Sequence, residues 1–234
     1  MANVVNHLRS DDHTALVSPE GQHLTYADLK KEVCRVAGGL QANGIVSGDR
    51  VVLLLPMGID LYVSLLAVFH IGATATLVDP AADIQDILKR HPPDAFIGIP
   101  KAHLLRFKVP ALRGLKLYVS SGFIPLPHKR LHALSGEAPP VAPGTAPALL
   151  TFTTGTTGKP KAIARSHDFL LGQHQVLHHH MPFKPGDVDL PTLPVFLLHS
   201  LAGGATCVIA DADLKHVGAV AAGPIIQQIR NHSV

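Results

Sequence analysis

Val51-Val-Leu-Leu-Leu-Pro-Met-Gly-Ile-Asp-Leu-Tyr-Val-Ser-Leu-Leu-Ala-Val-Phe-His-Ile-Gly-Ala-Thr-Ala-Thr-Leu-Val78 is the stretch on which the fold of this chain turns. Val51 to Leu55 is a continuous aliphatic run, the pattern of a strand covered on both faces. Pro56 breaks it, and Ile59 to His70 follows with a helical pattern. His70 and Gly72 end that helix, and Ala73 to Val78 reads as a second buried strand. Leu61 to Val78 is almost free of charge and close to the minimum length of a membrane-spanning helix. Its internal punctuation divides it into helix and strand, so no membrane span is expected.

The same alternation continues outward. Leu24 to Leu29 opens a helix with Thr25 as N-cap, continuing to about Ala42. Gly44 stops that helix, and Gly48-Asp49 makes a turn. Beyond Val78 the pattern predicts a helix near Asp83–Arg90, a strand Ala95–Ile99, a helix Lys101–Phe107 and a strand Leu115–Val119. This succession predicts an α/β fold, a mostly parallel sheet flanked by helices on both faces. From Phe123 to Ala148 the texture changes: Pro125, Pro127, Pro139, Pro140, Pro143 and Pro147 make a loop or linker with at most a short helical turn. Pattern resumes with strands at Ala148–Phe152 and Ala162–Arg165 and a helix His167–His178. Val188–Leu193 and Ala205–Ala210 then read as strands, and Pro224–Asn231 as a helix. There is no internal repeat.

Composition bounds the function classes. Of 234 residues, 47% are hydrophobic and 16% charged, which fits a well-packed α/β protein and excludes a disordered chain. Formal net charge is +3 and aromatics are 5%, with lysines and arginines scattered. No basic stripe interleaves with aromatics, so nucleic-acid binding is not expected. Cys34 and Cys207 both read as small buried hydrophobes and make no disulfide framework. Met1 to Gly21 is polar and lacks the apolar core of a secretory signal. A reducing cytoplasm is the expected compartment.

The chemistry concentrates in Thr151-Phe-Thr-Thr-Gly-Thr-Thr-Gly-Lys-Pro-Lys161. Glycines let backbone N–H groups approach a ligand closely, threonine hydroxyls add donors, and lysines supply positive charge. Such a loop suits phosphate. It is not a Walker A loop, in which G-x-x-x-x-G-K-[ST] leads into a helix. Gly155 and Gly158 are too close together, Lys159 is followed by Pro160, and a strand comes next.

Thr153 to Lys161 closely resembles the phosphate loop of the adenylate-forming superfamily, which includes acyl-CoA synthetases, nonribosomal peptide synthetase adenylation domains and luciferases. The family pattern is roughly [ST]-[ST]-G-[ST]-[ST]-G-x-P-K-G, and only its final glycine departs, here Ala162. Leu24 to Leu29, Gly48 to Val52, Ile71 through Pro80, and Ser166-His167 look like further landmarks of the family, so the resemblance covers about Thr25 to Val234. Leu190-Pro-Thr-Leu-Pro-Val-Phe196 through Asp211, with Phe96 to Leu104, looks like acyl adenylators related to the β-lactone synthetases of olefin biosynthesis. Those relatives act on fatty-acid-derived carboxylates.

The resemblance implies ATP-dependent activation of a small-molecule carboxylate, of fatty-acyl type, to acyl-AMP and pyrophosphate, with Mg²⁺ bridging the leaving group and CoA as the usual acceptor. Carried over position by position, Thr153, Thr154, Thr156 and Thr157 are phosphate donors. Gly155 and Gly158 give close backbone approach, Lys161 the charge, and Lys159 assists by proximity. Phe196 and His199 are candidates for an acyl pocket, although the family's histidine in this region directly follows the phenylalanine. His174 and His178 have the i, i+4 spacing of metal ligands, but no Cys, Asp or Glu completes a set nearby, and no metal site is expected.

Members of the family are considerably longer. Their aromatic-Gly-x-Thr-Glu motif, ribose-binding Asp and C-terminal Lys have no match here. The expectation is therefore that residues 1–234 form part of the N-terminal AMP-binding domain, the rest of that domain and the small C-terminal domain being absent, and that they do not complete adenylation alone. A non-catalytic nucleotide- or anion-binding relic of such an enzyme is the alternative.

Overall fold

The structure is a computed structural model and describes residues 3–79, 82–141, 144–153, 160–212 and 220–234. The chain separates into two compact units. The first comprises Met1–Asn6, Glu32–Pro56 and Asp60–Leu170; the second comprises His7–Lys31, Met57–Ile59 and Leu171–Val234.

The first unit is built on a seven-stranded sheet. Its strands are β3 (Arg50–Leu54), β4 (Thr74–Leu77), β5 (Ala95–Gly98), β6 (Leu117–Ser120), β7 (Lys129–Arg130), β8 (Leu149–Thr153) and β9 (Lys161–Arg165). Their order is β7-β6-β5-β3-β4-β8-β9, with every pairing parallel except the antiparallel β8–β9 pair. Helix α2 (Ile59–His70) carries the chain from β3 to β4, and α3 (Ile84–Arg90) carries it back past β3 to β5. Because crossovers keep one hand, reversing direction along the sheet puts these two helices on opposite faces. Val52, Leu54 and Phe96 pack with Ile87 and Leu88 of α3 and with Val109 and Leu112. The oppositely directed Val51, Leu53 and Ile97 are equally buried, so both faces are covered.

Helix α2 is buried along almost its whole length, which explains a sequence that is apolar all round rather than on one stripe. It ends at Gly72, whose φ of 70° fits the left-handed capping position. The Gly72 and Ala73 amides return to the carbonyls of Phe69 and Val68, a Schellman closure. Among the described residues no helix is long and apolar enough to cross a membrane.

The proline-rich segment differs from a simple linker. Leu131, Leu134 and Ala138 are buried, and Lys129–Arg130 pairs with β6 as an edge strand. The Arg35 guanidinium donates to the carbonyls of Leu131 and Leu134. Helix α1 (Tyr26–Ala42) meets the segment at Gly38 and Gly39. A Cβ at Gly38 would lie 2.3 Å from the carbonyl carbon of Gly136. Proline therefore marks here a strap with only a 3₁₀ turn at Leu131–Ala133 and a two-residue strand, fixed by close contact.

In the second unit, β1 (Thr14–Val17), β2 (His23–Thr25), β10 (Val188–Asp189) and β11 (Thr206–Val208) form a four-stranded sheet in the order β10-β11-β1-β2. Pairs β1–β11 and β10–β11 are parallel, and β1–β2 is antiparallel. Thr25 caps α1 as expected: its hydroxyl accepts the Asp28 amide at 3.0 Å and donates to the Asp28 carboxylate. The buried Tyr26 hydroxyl donates to the carbonyls of Ala205 and Leu201, and burial pushes its pKa well up.

Several expectations are corrected. The predicted strand over 188–193 is only Val188–Asp189, because Pro191 and Pro194 cannot sustain a ladder. Pro194 instead begins helix α6 (Pro194–Gly203), which stops at Gly204 with φ 86°. Predicted helix Lys101–Phe107 is a 3₁₀ turn, Pro100–Leu104, followed by the single-turn α4 (Leu105–Lys108). Cys207 is buried as expected, but Cys34 is only half-buried. Helix α5 (His167–His180) runs two residues beyond the expected end, and α7 (Ala222–His232) closes the described fold.

Gly38→Ala tests the strap contact. Helix propensity alone would favour alanine by about 0.8–1 kcal/mol, but the new methyl meets backbone that cannot swing away. We expect a net loss of about 1–2 kcal/mol, measured by urea denaturation; an unchanged or raised midpoint would contradict the close approach.

Candidate functional site

The residues expected to grip phosphate lie around the β8–β9 hairpin of the first unit. Strand β8 is fixed on one side by its parallel pairing with β4, where Ala75 and Thr76 face Leu149 and Leu150 in register. The Thr74 hydroxyl donates to the Pro147 carbonyl at 2.6 Å and sets the strand's entry. On the other side β9 runs back antiparallel, with Thr153 opposite Lys161, Phe152 opposite Ala162 and Thr151 opposite Ile163. Thr154, Gly155, Thr156, Thr157, Gly158 and Lys159 lie outside the described residues.

Directly opposed residues of an antiparallel pair project from the same face. Thr153 and Lys161 therefore stand side by side at the tip, and both are exposed. Thr151 and Arg165 share that face, as the 2.7 Å hydrogen bond from the Arg165 guanidinium to the Thr151 hydroxyl shows. The other face is apolar: Phe152 packs on the core cluster beneath α3. Its ring also lies 5.5 Å from that of His91, at the end of α3. Next to it, Arg90 donates to the Pro160 carbonyl at 3.1 Å and pairs with Asp86 at 2.7 Å. One face of the hairpin thus presents Thr151, Thr153, Lys161 and Arg165 beside the apolar Leu149 and Ile163, while the other is anchored through Phe152.

Exposed hydroxyl and cationic groups of this kind can donate to an anion such as phosphate. Beyond the hairpin, the Ser166 hydroxyl accepts the Phe169 amide and caps α5. His167 is buried edge-on to Phe69, and burial holds its pKa below the ordinary imidazole value.

In the second unit the structure brings together histidines that are distant in sequence. His174 Nδ1 and His199 Nδ1 are 2.9 Å apart, and His199 Nε2 lies 3.2 Å from the Met181 carbonyl. Donation from Nε2 to that carbonyl leaves the His199 Nδ1 lone pair to accept the Nδ1 proton of His174. Phe183 packs on His199 with ring centroids 5.4 Å apart. The His199 side chain is therefore engaged at both nitrogens within the protein, whereas Phe196, three residues earlier on α6, is exposed. His178 is the next ring in the group, 5.5 Å from His174. Among the described residues no three His, Cys, Asp or Glu side chains are arranged to hold a metal ion.

Sequence patterns missed Arg90 and His91, because nothing local relates the end of α3 to a loop seventy residues on. They also missed α6, although Pro194 at its start and Gly203-Gly204 at its end are the usual helix punctuation.

The architecture is that of the N-terminal domains of adenylate-forming enzymes. A Rhodopseudomonas palustris protein assigned as a long-chain-fatty-acid CoA ligase superposes with a TM-score of 0.81 over 95% of this chain and 58% of that one, at 24% identity. The AMP-binding enzyme family model matches residues 5–223, and the chain belongs to that family. It is 34% identical over 200 residues to the olefin beta-lactone synthetase of Xanthomonas campestris pv. campestris, covering 81% of this chain and 36% of that protein. It is 29% identical over 212 residues to 4-coumarate--CoA ligase 5 of Oryza sativa subsp. japonica, covering 85% and 39%. The chain thus spans little more than a third of the length of these relatives.

The histidine group gives a pH prediction. Burial first, and then His199, His178 and His7, hold His174 below the ordinary value of 6.5. Burial and His178 hold His199 down, against the Met181 bond and Asp189. In the unfolded chain both imidazoles take up protons near pH 6.5, whereas the folded unit resists until lower pH. Stability from this pair is therefore present above 6.5 and is lost as pH falls below it. Denaturation midpoints should fall between pH 7 and 5, and less steeply in His199→Gln; equal slopes would contradict the assignment.

Proposed function

We propose that the chain supplies the phosphate-gripping wall of an enzyme that activates a carboxylic acid, of fatty-acyl type, with ATP. The observation that carries this reading is the hairpin tip. Thr153 and Lys161 oppose each other across β8–β9 on one exposed face, and the intervening sequence has the family's threonine-glycine pattern. The fatty-acyl assignment draws on the names of relatives. These include a fatty acid--[acyl-carrier-protein] ligase of Mycobacterium marinum, 26% identical over 200 residues.

In the proposed reaction a substrate carboxylate oxygen attacks the α-phosphorus of ATP. The bond from that phosphorus to the oxygen bridging to the β-phosphate breaks, giving acyl-AMP and pyrophosphate. Negative charge grows on the leaving pyrophosphate, so fixed donors beside the β- and γ-phosphates stabilise the transition state more than the ground state. Lys161 is assigned the charge, and Thr153, Thr154, Thr156 and Thr157 the hydroxyl or amide donors. Gly155 and Gly158 allow close approach, and Lys159 adds nearby charge. Magnesium carried on the phosphates would supply further neutralisation. A thiol such as CoA is the proposed acceptor of the acyl group.

Phe196 on α6 remains the exposed apolar candidate for contact with the acyl chain, while His199, tied to His174 and Met181, supports α6 from within. The hairpin supplies donors for phosphate only.

Two measurements test the proposal. In an enzyme carrying the whole domain, Lys161→Ala should raise the KM for ATP by tenfold or more, about 1.4 kcal/mol or above. Unchanged ATP dependence would remove Lys161 from the site. The 234-residue chain by itself should show no carboxylate-dependent exchange of pyrophosphate into ATP, and such exchange would refute its assignment as one wall of the site.

A further inference from the structure

We propose that Arg90 is a positioning residue for the phosphate-binding hairpin, clamping its returning stem so that Lys161 faces the ligand. The inference rests on the phosphate reading above and adds to it a residue that the loop motif does not contain.

The argument starts from a weakness in the hairpin. Strand β9 is the last strand of the sheet, and its first four residues are exposed. Its pairing with β8 gives register but no burial. Pro160, just before it, lacks an amide proton and cannot donate a ladder bond. By the strand contacts alone, the direction of Lys161 would rest on one edge pairing at the loop end of the hairpin.

Helix α3 supplies the missing restraint, and it does so at both stems. His91, its C-cap residue, lies against the Phe152 ring on the outgoing strand. Arg90, its last residue, donates to the Pro160 carbonyl on the returning strand. The Arg90 guanidinium is itself held by Asp86 one turn earlier, so the donor is oriented before it meets the loop. The Asp83 side chain caps the N-terminus of α3 by accepting the Asp86 amide, and Ile87 and Leu88 root the helix in the sheet core. A helix anchored on the sheet by Ile87 and Leu88 thereby reaches the backbone one residue before Lys161.

The geometry also separates Arg90 from the ligand-facing groups. Phe152 and α3 occupy one face of the hairpin; Thr151, Thr153, Lys161 and Arg165 project from the other. Arg90 acts through the backbone of Pro160, and its charge does not substitute for that of Lys161. Removing it should leave the cation of Lys161 in place but poorly aimed, with consequences for affinity and for local opening of the strand.

The test compares Lys161→Ala, Arg90→Gln and Arg90→Lys in the full 234-residue chain. Binding of Mg·ATP is followed by calorimetry and amide hydrogen exchange is read at Lys161 and Ala162. Arg90→Gln should weaken binding about three- to tenfold and speed exchange at those two amides, with the melting temperature unchanged within a degree or two. Arg90→Lys, which keeps a cationic donor, should recover part of both effects. If Lys161→Ala weakens binding while Arg90→Gln changes neither affinity nor exchange, the clamp is wrong and the phosphate reading stands. If wild-type chain and Lys161→Ala bind Mg·ATP equally, or neither binds, the phosphate reading fails. Exchange at Lys161 and Ala162 then still judges the clamp, and unaltered exchange in Arg90→Gln overturns it.

Discussion

Burial of β3, β4 and β5 on both faces is the constraint from which the first unit follows. A strand covered on both sides has no solvent to satisfy its amides and carbonyls, so every one must enter the ladder. Parallel pairing meets that requirement only if each strand is followed by a covering crossover. Helix α2 is therefore apolar all round, and Gly72 turns the chain sharply enough for β4 to begin at Thr74. The strap over 123–148 belongs to the same logic. It carries Leu131, Leu134 and Ala138 into the interior, and the missing side chains of Gly38 and Gly39 let it lie close against α1.

The proposed site, at Thr153 and Lys161, lies where this regularity stops. The β8–β9 pair is the antiparallel exception in an otherwise parallel sheet, and a hairpin can place a loop at the sheet's edge without a covering crossover. Two opposed positions then bring Thr153 and Lys161 together without any long-range contact between their side chains. The apolar opposite face gives the hairpin its footing in the core through Phe152. Rigid burial on one side and exposed donors on the other are what a site for a highly charged, transient ligand requires.

Much of this was legible in the sequence, for physical reasons that differ from element to element. Helix Ile59–His70 was bounded by Pro56 and Gly72, both strong local punctuation, and its limits match. The threonine-glycine loop could be singled out as a candidate because its pattern is local, although Thr154 to Lys159 lie outside the described residues. Helix α6 was not, because its short, largely apolar sequence shows no clear polar stripe and follows directly on the prolines at 191 and 194. The four residues of β1 gave no periodic signal, and their place in the sheet comes from pairing with β2 on one side and with the sequence-distant β11 on the other. The links from Arg90 to Pro160 and from His174 to His199 are likewise products of tertiary folding. Among the proposed site residues, sequence could name the phosphate donors but not what holds them in place.

The exposed outer edge of β9 has a consequence of another kind. Ala162, Ile163 and Ala164 form a short uncharged run that, among the described residues, has no strand beyond it, a template on which another chain could add a strand and begin to aggregate. Lys161 and Arg165 bracket that run, and charges at the ends of an edge strand oppose such pairing. The lysine assigned to phosphate therefore also helps keep separate copies of the protein apart, so its removal would be felt in solubility as well as in ligand affinity.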